Sequence, residues 1–229
     1  MQFDEYAANY KELVDKSSGV SVVALAAEKA RLIETILRDV VGNPKELSIL
    51  DIGCGIGLID RPLQNLVKSL HGIDTSPASI AYARGQAESA EFHAYGGEVL
   101  PFETGRFDGA FASCVLHHIP PGQRDAFVRE MMRVIRPGGV AIFIEHNPLN
   151  PVTRRIVSSC VFDADAILLG LREARRLLAG AGAAQIGRRF MGFSPLRNRA
   201  VERAEGYLGW LPIGAQYCAW GIKPCHTQS

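Results

Sequence analysis

Residues 47–57 read Leu-Ser-Ile-Leu-Asp-Ile-Gly-Cys-Gly-Ile-Gly and join a short apolar run to three closely spaced glycines. The apolar run over residues 47–52 predicts a buried strand, because it is short and ends directly in turn-forming residues. A glycine has no Cβ, so a glycine-rich turn at a strand end lets a ligand approach the backbone closely. The stretch therefore predicts the strand-loop-helix unit that opens a ligand-binding α/β domain.

The spacing of these glycines and the acidic residues near them narrow the class of ligand. Gly53, Gly55 and Gly57 follow G-x-G-x-G, whereas dinucleotide-binding domains favour G-x-G-x-x-G, where a helix N-terminus receives a pyrophosphate. Asp51, before the first glycine, would repel a phosphate but can hold an ammonium group. Asp74 ends the next apolar run, where a carboxylate can accept both hydroxyls of a ribose. Glycine-rich turns also occur without a ligand, and Asp74 could instead cap a helix or shape a turn.

Strands and helices alternate along most of the chain. Further strands are predicted over residues 70–73, 91–95, 107–113, 140–145, 184–190 and 215–222, and helices over 3–41 (divided near Gly19), after Ser76-Pro77, after Pro120-Pro121 and over 171–181. Arg136-Pro137-Gly138-Gly139 is expected to end the helix before the fifth strand, and residues 146–169 to be irregular. This alternation predicts an α/β fold, a three-layer sandwich with a mostly parallel seven-stranded sheet and helices on both faces.

The length of 229 residues suits one domain, since two separate cores would be a tight fit. We expect residues 1–45 to form an N-terminal helical lid and residues 46–145 the cofactor-binding core. Residues 146–229 would supply C-terminal substrate-cap inserts and the final strands, because inserted segments near one end of a sheet often cover a ligand.

Composition excludes some classes of protein. A formal net charge of +1 and a hydrophobic content of 47% argue against a disordered tail and against a generally basic nucleic-acid binder. From Pro151 onward, however, 11 Lys and Arg stand against 5 Asp and Glu. This basic segment could face an anionic or amphiphilic small molecule, or it could consist of solvated helix faces. The oligomeric state cannot be predicted from the sequence.

The five cysteines form no C-x-x-C pair and have no histidine at metal-ligand spacing. No apolar signal core begins the chain, and no apolar run reaches membrane-spanning length. We therefore expect a cytoplasmic protein with no transmembrane segment. No cluster of carboxylates predicts a catalytic divalent metal.

Several ordered motifs resemble those of the class I S-adenosylmethionine-dependent methyltransferases, in particular the small-molecule enzymes with a D-x-G-x-G-x-G loop. The resemblance extends over residues 3–145. It is carried by Asp51 with Gly53, Gly55 and Gly57, by Asp74, by Val99-Leu100-Pro101-Phe102, by Phe107-Asp108, by Val115-Leu116-His117-His118-Ile119, by Ile135-Arg136-Pro137-Gly138-Gly139, and by the N-terminal Phe3-Asp4-Glu5-Tyr6-Ala7-Ala8-Asn9-Tyr10.

The resemblance implies S-adenosylmethionine as the cofactor and a set of residues that bind it. These are Tyr10, Asp51, Gly53, Cys54, Gly55, Gly57, Asp74, Thr75, Gly97, Glu98 and Ser113. The chain departs from the family at the residues expected to recognise adenine. Relatives often carry Asp-Ala-Glu there, with the aspartate on the adenine, whereas this chain has Gly96-Gly97-Glu98. Without that aspartate, backbone groups of Gly97 and Glu98 or a neighbouring side chain must recognise the adenine.

Two histidines are the candidate catalytic residues. His117 and His118 follow the fourth strand, whose carboxyl end faces the ligand crevice in this fold, and histidine suits proton transfer near neutral pH. His146 and Asn147 end the fifth strand at the same edge and could orient a substrate, although Asn147-Pro148 could simply initiate a turn. Oxygen is the expected methyl acceptor, ahead of nitrogen and carbon.

Two other functions compete with a small-molecule methyltransferase. An NAD-dependent reductase is disfavoured by the glycine spacing, by Asp51 and by the absence of a Tyr-x-x-x-Lys pair. A non-catalytic S-adenosylmethionine-binding module stays open because of the altered Gly96 position. Methylation of nucleic acid is disfavoured, since the chain has no N-P-P-Y-type motif and no strongly basic charge.

Overall fold

The predicted first strand lies at the centre of the structure, a computed structural model that describes residues 11–13, 15, 19, 21–194 and 205–225. Strand β1 (Ser48–Ile52) is buried and pairs in parallel with β2 (Ser69–Asp74) on one side and β4 (Phe107–Ser113) on the other. A strand with neighbours on both edges and helices on both faces buries alternate side chains in two cores, which explains its nearly continuous apolar sequence.

All seven strands belong to one sheet with the order β3-β2-β1-β4-β5-β7-β6. The remaining strands are β3 (Glu91–Ala94), β5 (Ile135–His146), β6 (Ala184–Met191) and β7 (Gln216–Ile222). Strands β1 to β5 run parallel, whereas β7 is antiparallel to both β5 and β6. The chain moves outward from β1 to β3 and then returns to β4, so a topological switch point lies between β1 and β4, where such sheets bind ligands.

Helices cover both faces of the sheet. Those given defined bounds are α1 (Val22–Val40), α2 (Asp60–Leu63), α3 (Pro77–Arg84), α4 (Arg124–Val134), α5 (Pro151–Ser159) and α6 (Leu171–Gly180), with short 3₁₀ turns at Pro44–Glu46, Leu116–His118, Pro121–Gln123 and Val161–Asp163. Leu50 and Ile52 pack into one core with Met131 of α4, and Ile49 packs into the other with Ile33 of α1. The predicted three-layer α/β fold with a mostly parallel seven-stranded sheet is thereby confirmed.

Two local predictions are wrong. Residues 146–169 are not irregular throughout, because α5 occupies their middle: Asn150 accepts a hydrogen bond from the Thr153 N–H and Pro151 occupies the first turn. The Asn150-Pro151 pair therefore begins a helix rather than a loop, whereas Asn147-Pro148 begins a turn in which the Leu149 N–H donates to Asn147 Oδ1. Strand β5 also begins at Ile135, because the backbone pairs with β4 across the Pro-Gly-Gly segment through a register shift.

The N-terminal segment that is predicted to close over the cofactor, residues 3–10, lies outside the described residues. In the part of the chain that the structure describes, no helix combines the length and apolarity needed to cross a bilayer.

Candidate active site

A cavity of about 560 Å³ opens at the carboxyl ends of β1, β2 and β4, the switch point of the sheet. A volume of this size is typical of small-molecule sites. The glycine loop forms one side of the cavity, and α1 and α5 contribute side chains to the opposite walls.

The glycine loop after β1 is held against the end of β2. The N–H groups of Gly53 and Cys54 donate to the Ile73 carbonyl at 2.7 and 3.1 Å. Gly53 has a φ of 80°, and a Cβ at this position would lie 2.5 Å from a Val115 methyl carbon. Only glycine satisfies both the backbone conformation and this close packing. The loop therefore presents its backbone to the cavity in a defined conformation.

Asp74 fixes that loop from the end of β2. Its Oδ2 accepts a hydrogen bond from the Gly55 N–H at 2.8 Å, and its Oδ1 accepts one from the Ser76 N–H at 2.8 Å. The helix-capping role belongs to Ser76, whose Oγ accepts from the Ser79 N–H. Each carboxylate oxygen has more than one acceptor site, so Asp74 can shape the turn and still accept hydrogen bonds from a ligand.

Asp51 and Asp60 form a buried carboxyl pair beneath the loop. Asp51 is 2% exposed and Asp60 is fully buried. Burial, followed by the proximity of Asp60, raises the pKa of Asp51 well above its usual value, and burial raises the pKa of Asp60 to about 7. Two adjacent carboxyl groups with little solvent favour a shared proton. Sequence reasoning missed Asp60 because no motif marks the start of α2.

Asp60→Asn should change how stability depends on pH. Because the folded-state pKa of Asp60, about 7, exceeds its ordinary value of 3.8, the folded protein holds a proton that the unfolded chain releases. The contribution of Asp60 to the free energy of unfolding therefore falls as pH rises from about 4 to 7. Urea unfolding should show that the stability of the variant relative to wild type rises by about 2–3 kcal/mol between pH 5 and pH 8.

The control for this prediction is Asp39→Asn, which removes an aspartate whose side chain is 63% exposed. It should leave the pH profile unchanged. A constant difference between Asp60→Asn and wild type at the two pH values would mean that Asp60 is ionised in the folded protein.

A second cluster of polar side chains lies in the cavity wall at the end of β4. Lys29 of α1 is 7% exposed, and its Nζ donates to Ser113 Oγ at 2.9 Å and lies 3.5 Å from Cys114 Sγ. Gln216 Nε2 lies 3.4 Å from the same sulfur. Burial alone would raise the pKa of the Cys114 thiol, but Lys29 and His146 lower it to about 6. The only sequence signal for Lys29 is a charged residue on the apolar face of α1 beside Ala26 and Ala30.

His117 lies between two carboxylates beneath the cavity wall. Its Nδ1 lies 2.6 Å from Glu145 Oε2, and its Nε2 lies 3.3 Å from Asp163 Oδ1. Glu145 Oε1 in turn accepts hydrogen bonds from the N–H groups of Val115 and Leu116. Burial would lower the pKa of His117, but the adjacent carboxylates raise it to about 10. His117 is 1% exposed and is not among the residues that line the cavity.

His118 and His146 reach the cavity from the same edge of the sheet. His118 Nε2 lies 3.6 Å from Asp163 Oδ1, and His146 Nε2 lies 4.0 Å from Asp163 Oδ2. Burial and the neighbouring His117 lower the pKa of His118. Asp163 therefore collects three imidazoles at one end of the cavity, and no sequence motif marks it because its segment shows no regular pattern.

The comparison with known families agrees with this architecture. Residues 50–143 match the family model described as a methyltransferase domain. These residues are therefore similar to a methyltransferase domain over the segment from β1 to β5.

Similarity to individual proteins is moderate. An uncharacterized methyltransferase of Synechocystis is 31% identical over 103 residues, which are 44% of this chain and 49% of that protein. A ubiquinone biosynthesis O-methyltransferase of Chelativorans is 28% identical over 170 residues, which are 67% of this chain and 65% of that protein. The chain thus spans 49% of the length of the first of these curated relatives and 65% of the length of the second.

Similarity to solved structures covers nearly the whole chain. A SAM-dependent methyltransferase of Thermotoga maritima, described as a possible histamine N-methyltransferase, has a TM-score of 0.70 at 19% identity. The match covers 96% of this chain and 98% of that one. At this identity the likeness concerns the fold.

Most of the predicted site residues line the cavity: Asp51, Gly53, Cys54, Gly55, Asp74, Thr75, Gly97, Ser113, His118 and His146. Others do not. Gly57 packs against Ala83 and Phe92 below the loop, and Glu98 is exposed outside the lining. Tyr10 lies outside the described residues.

Asn147 does not face the cavity as expected. It is 2% exposed, and its Nδ2 donates to the Pro212 and Gly214 carbonyls while its Oδ1 accepts from the Leu149 N–H. All of its hydrogen-bonding groups are therefore used within the protein. The side chain ties the segment before β7 to the end of β5, which makes it a structural residue rather than a group that orients substrate.

Proposed function

We propose that this chain transfers a methyl group from S-adenosylmethionine to a small-molecule acceptor, with oxygen as the acceptor atom. The observation that carries the proposal is the combination of Asp51 and Asp74 with the glycine loop at one cavity. The two acidic residues end neighbouring parallel strands, and the Gly55 N–H between them is bonded to Asp74.

The residues present fit this cofactor. The buried Asp51 Oδ1 receives no hydrogen bond from any nitrogen of the described residues, and it lies at the loop where a ligand ammonium would be held. Asp74 would accept hydrogen bonds from ribose hydroxyls. Gly97, whose φ is 90°, brings backbone to the cavity wall beside Thr75 and is suited to contact adenine in place of a carboxylate.

When bound, S-adenosylmethionine supplies a methyl group that is already activated on a sulfonium, so the protein chiefly has to align the acceptor. The acceptor end of the cavity is formed by Thr153 and Ile156 of α5 together with His118, His146 and Asp163. Of the two predicted catalytic histidines, only His118 lines the cavity, so it is the one that an acceptor can contact. His117, held beneath the wall by Glu145, would act by positioning its neighbours.

Oxygen is favoured as the acceptor by two considerations. The imidazoles and the carboxylate of Asp163 are suited to bind and deprotonate a hydroxyl. The Chelativorans relative is named as an O-methyltransferase. Nitrogen is the second candidate, because the Thermotoga maritima structure is described as a possible N-methyltransferase.

A screen with methyl-labelled S-adenosylmethionine tests this proposal. Phenols, hydroxylated sugars, carboxylic acids and amines would be offered to the protein, and the labelled products identified by mass spectrometry. We expect label on an oxygen of at least one hydroxyl compound. Transfer only to amines would make nitrogen the acceptor, and binding of the cofactor without transfer to any compound would favour a non-catalytic binding module.

A further inference from the structure

Three potential metal ligands converge at the acceptor end of the cavity. One ligand atom each from His117, His118 and Asp163 lies within 4.8 Å of the others. We propose that these three residues bind a first-row divalent cation such as Zn²⁺. The role of this cation in binding the acceptor rests on the function proposed above.

The distances suit a cation of this size. Metal–ligand bonds of about 2.1 Å in a tetrahedral site separate the ligand atoms by roughly 3.4 Å. His117 Nε2 and His118 Nε2 lie 3.3 and 3.6 Å from Asp163 Oδ1. Two of the three ligand pairs therefore have the required spacing, and a small approach of the two imidazoles would complete the site.

The surroundings of His117 provide a second, independent indication. Its Nε2 is buried and makes no aligned hydrogen bond with any described group, although Asp163 lies nearby. Its Nδ1 lies 2.6 Å from Glu145, whose other oxygen is fixed by two backbone N–H groups. A metal-ligating histidine usually donates its other N–H to a carboxylate in this way, and the donation orients the ring.

The donor set and the access to solvent indicate the kind of metal. Imidazole with one carboxylate suits zinc and its first-row neighbours, whereas Mg²⁺ and Ca²⁺ prefer oxygen ligands. His118 and Asp163 line the cavity, with side chains 22% and 12% exposed, so one coordination position can face the acceptor. A cation there would bind an acceptor oxygen and lower the pKa of its hydroxyl, with His118 as a ligand rather than as a free base.

Cobalt binding tests this inference without relying on activity. Protein treated with a chelator and then desalted is titrated with Co²⁺, whose visible absorption reports imidazole coordination, and with Zn²⁺ in competition. We expect one Co²⁺ per chain, displaced by Zn²⁺. Asp163→Asn should weaken Co²⁺ binding at least about 10-fold, because the neutral amide is a much poorer ligand than the carboxylate.

The matched control is Asp39→Asn, which removes the same charge from the end of α1, outside the cavity lining, where the side chain is 63% exposed. It should change Co²⁺ affinity by less than about 3-fold, since an exposed charge is screened by solvent. No cobalt spectrum in wild type, or equal losses in the two variants, would overturn the metal site. The cluster would then be an ion pair of His117 with its two carboxylates.

Binding of S-adenosylmethionine to the same chelated protein separates this inference from the proposed function. The cofactor end of the cavity contains none of the three ligands, so the metal-free protein should still bind S-adenosylmethionine. Cofactor binding without cobalt binding would reject only the metal site. Cobalt binding without cofactor binding would reject the proposed function and leave the metal site in place. The same titration is made with the Asp163→Asn protein, whose retained binding of S-adenosylmethionine would show that this variant is folded.

Discussion

Arg124→Met should lower the free energy of unfolding by about 2–4 kcal/mol, because the substitution removes a buried guanidinium and the hydrogen bonds that it donates to three carbonyls and one carboxylate. The Arg124 side chain is 1% exposed. Its guanidinium donates to the carbonyls of Leu116, Ile119 and Ile167 and lies 2.8 Å from Glu173. Methionine fills part of the volume but donates no hydrogen bond. The Leu116 carbonyl would keep only the hydrogen bond from the Ile119 N–H, and the Ile119 and Ile167 carbonyls and Glu173 would lose this donor.

The same guanidinium joins the turn after β4 to the segment before α6. Both segments flank Asp163 and His118, so the loss of Arg124 should also loosen the acceptor end of the cavity. Urea unfolding measures the change in stability. Arg129→Met provides the control, because Arg129 lies on the same helix with an exposed side chain, and it should change stability by less than about 0.5 kcal/mol. Similar losses in the two variants would mean that Arg124 contributes only helix propensity or general charge.

Asp74→Ala should weaken the binding of S-adenosylmethionine by about 1–3 kcal/mol, since it removes the charged acceptor proposed for the ribose hydroxyls. The substitution also removes the acceptor for the Gly55 and Ser76 N–H groups, so part of the loss would come from a less ordered glycine loop. Calorimetric titration gives the affinity, and thermal unfolding without ligand gives the cost to the loop.

Asp39→Ala is the control for Asp74→Ala, since Asp39 is an exposed aspartate at the end of α1. Its affinity for the cofactor should equal that of wild type. If Asp74→Ala also binds with unchanged affinity, the ribose is held by other residues and the role assigned to Asp74 is wrong.

The fold and one edge of the site could be predicted from the sequence because they depend on local patterns. Short apolar runs that end in glycine or acidic residues mark parallel strands, and their carboxyl ends meet at one edge of the sheet. Asp51, Asp74, Ser113 and His118 could therefore be assigned to one cavity from the sequence alone.

Residues that reach the cavity from distant segments could not be predicted in this way. Lys29 enters from α1, 84 residues before its partner Ser113, and Asp163 enters from a turn that carries no motif. The roles of His117 and His118 also could not be separated, because adjacent residues in a 3₁₀ turn point in different directions. Asp163 supplies the third ligand of the proposed metal site, beside the two histidines that the sequence predicts.

Calorimetric titration of the wild-type protein with S-adenosylmethionine, S-adenosylhomocysteine and NAD⁺ tests the central claim most directly. We expect S-adenosylmethionine and S-adenosylhomocysteine each to bind with one molecule per chain, and NAD⁺ to give no binding heat. Binding of NAD⁺ without binding of either sulfur compound would contradict the proposal that this glycine loop and its two aspartates hold S-adenosylmethionine.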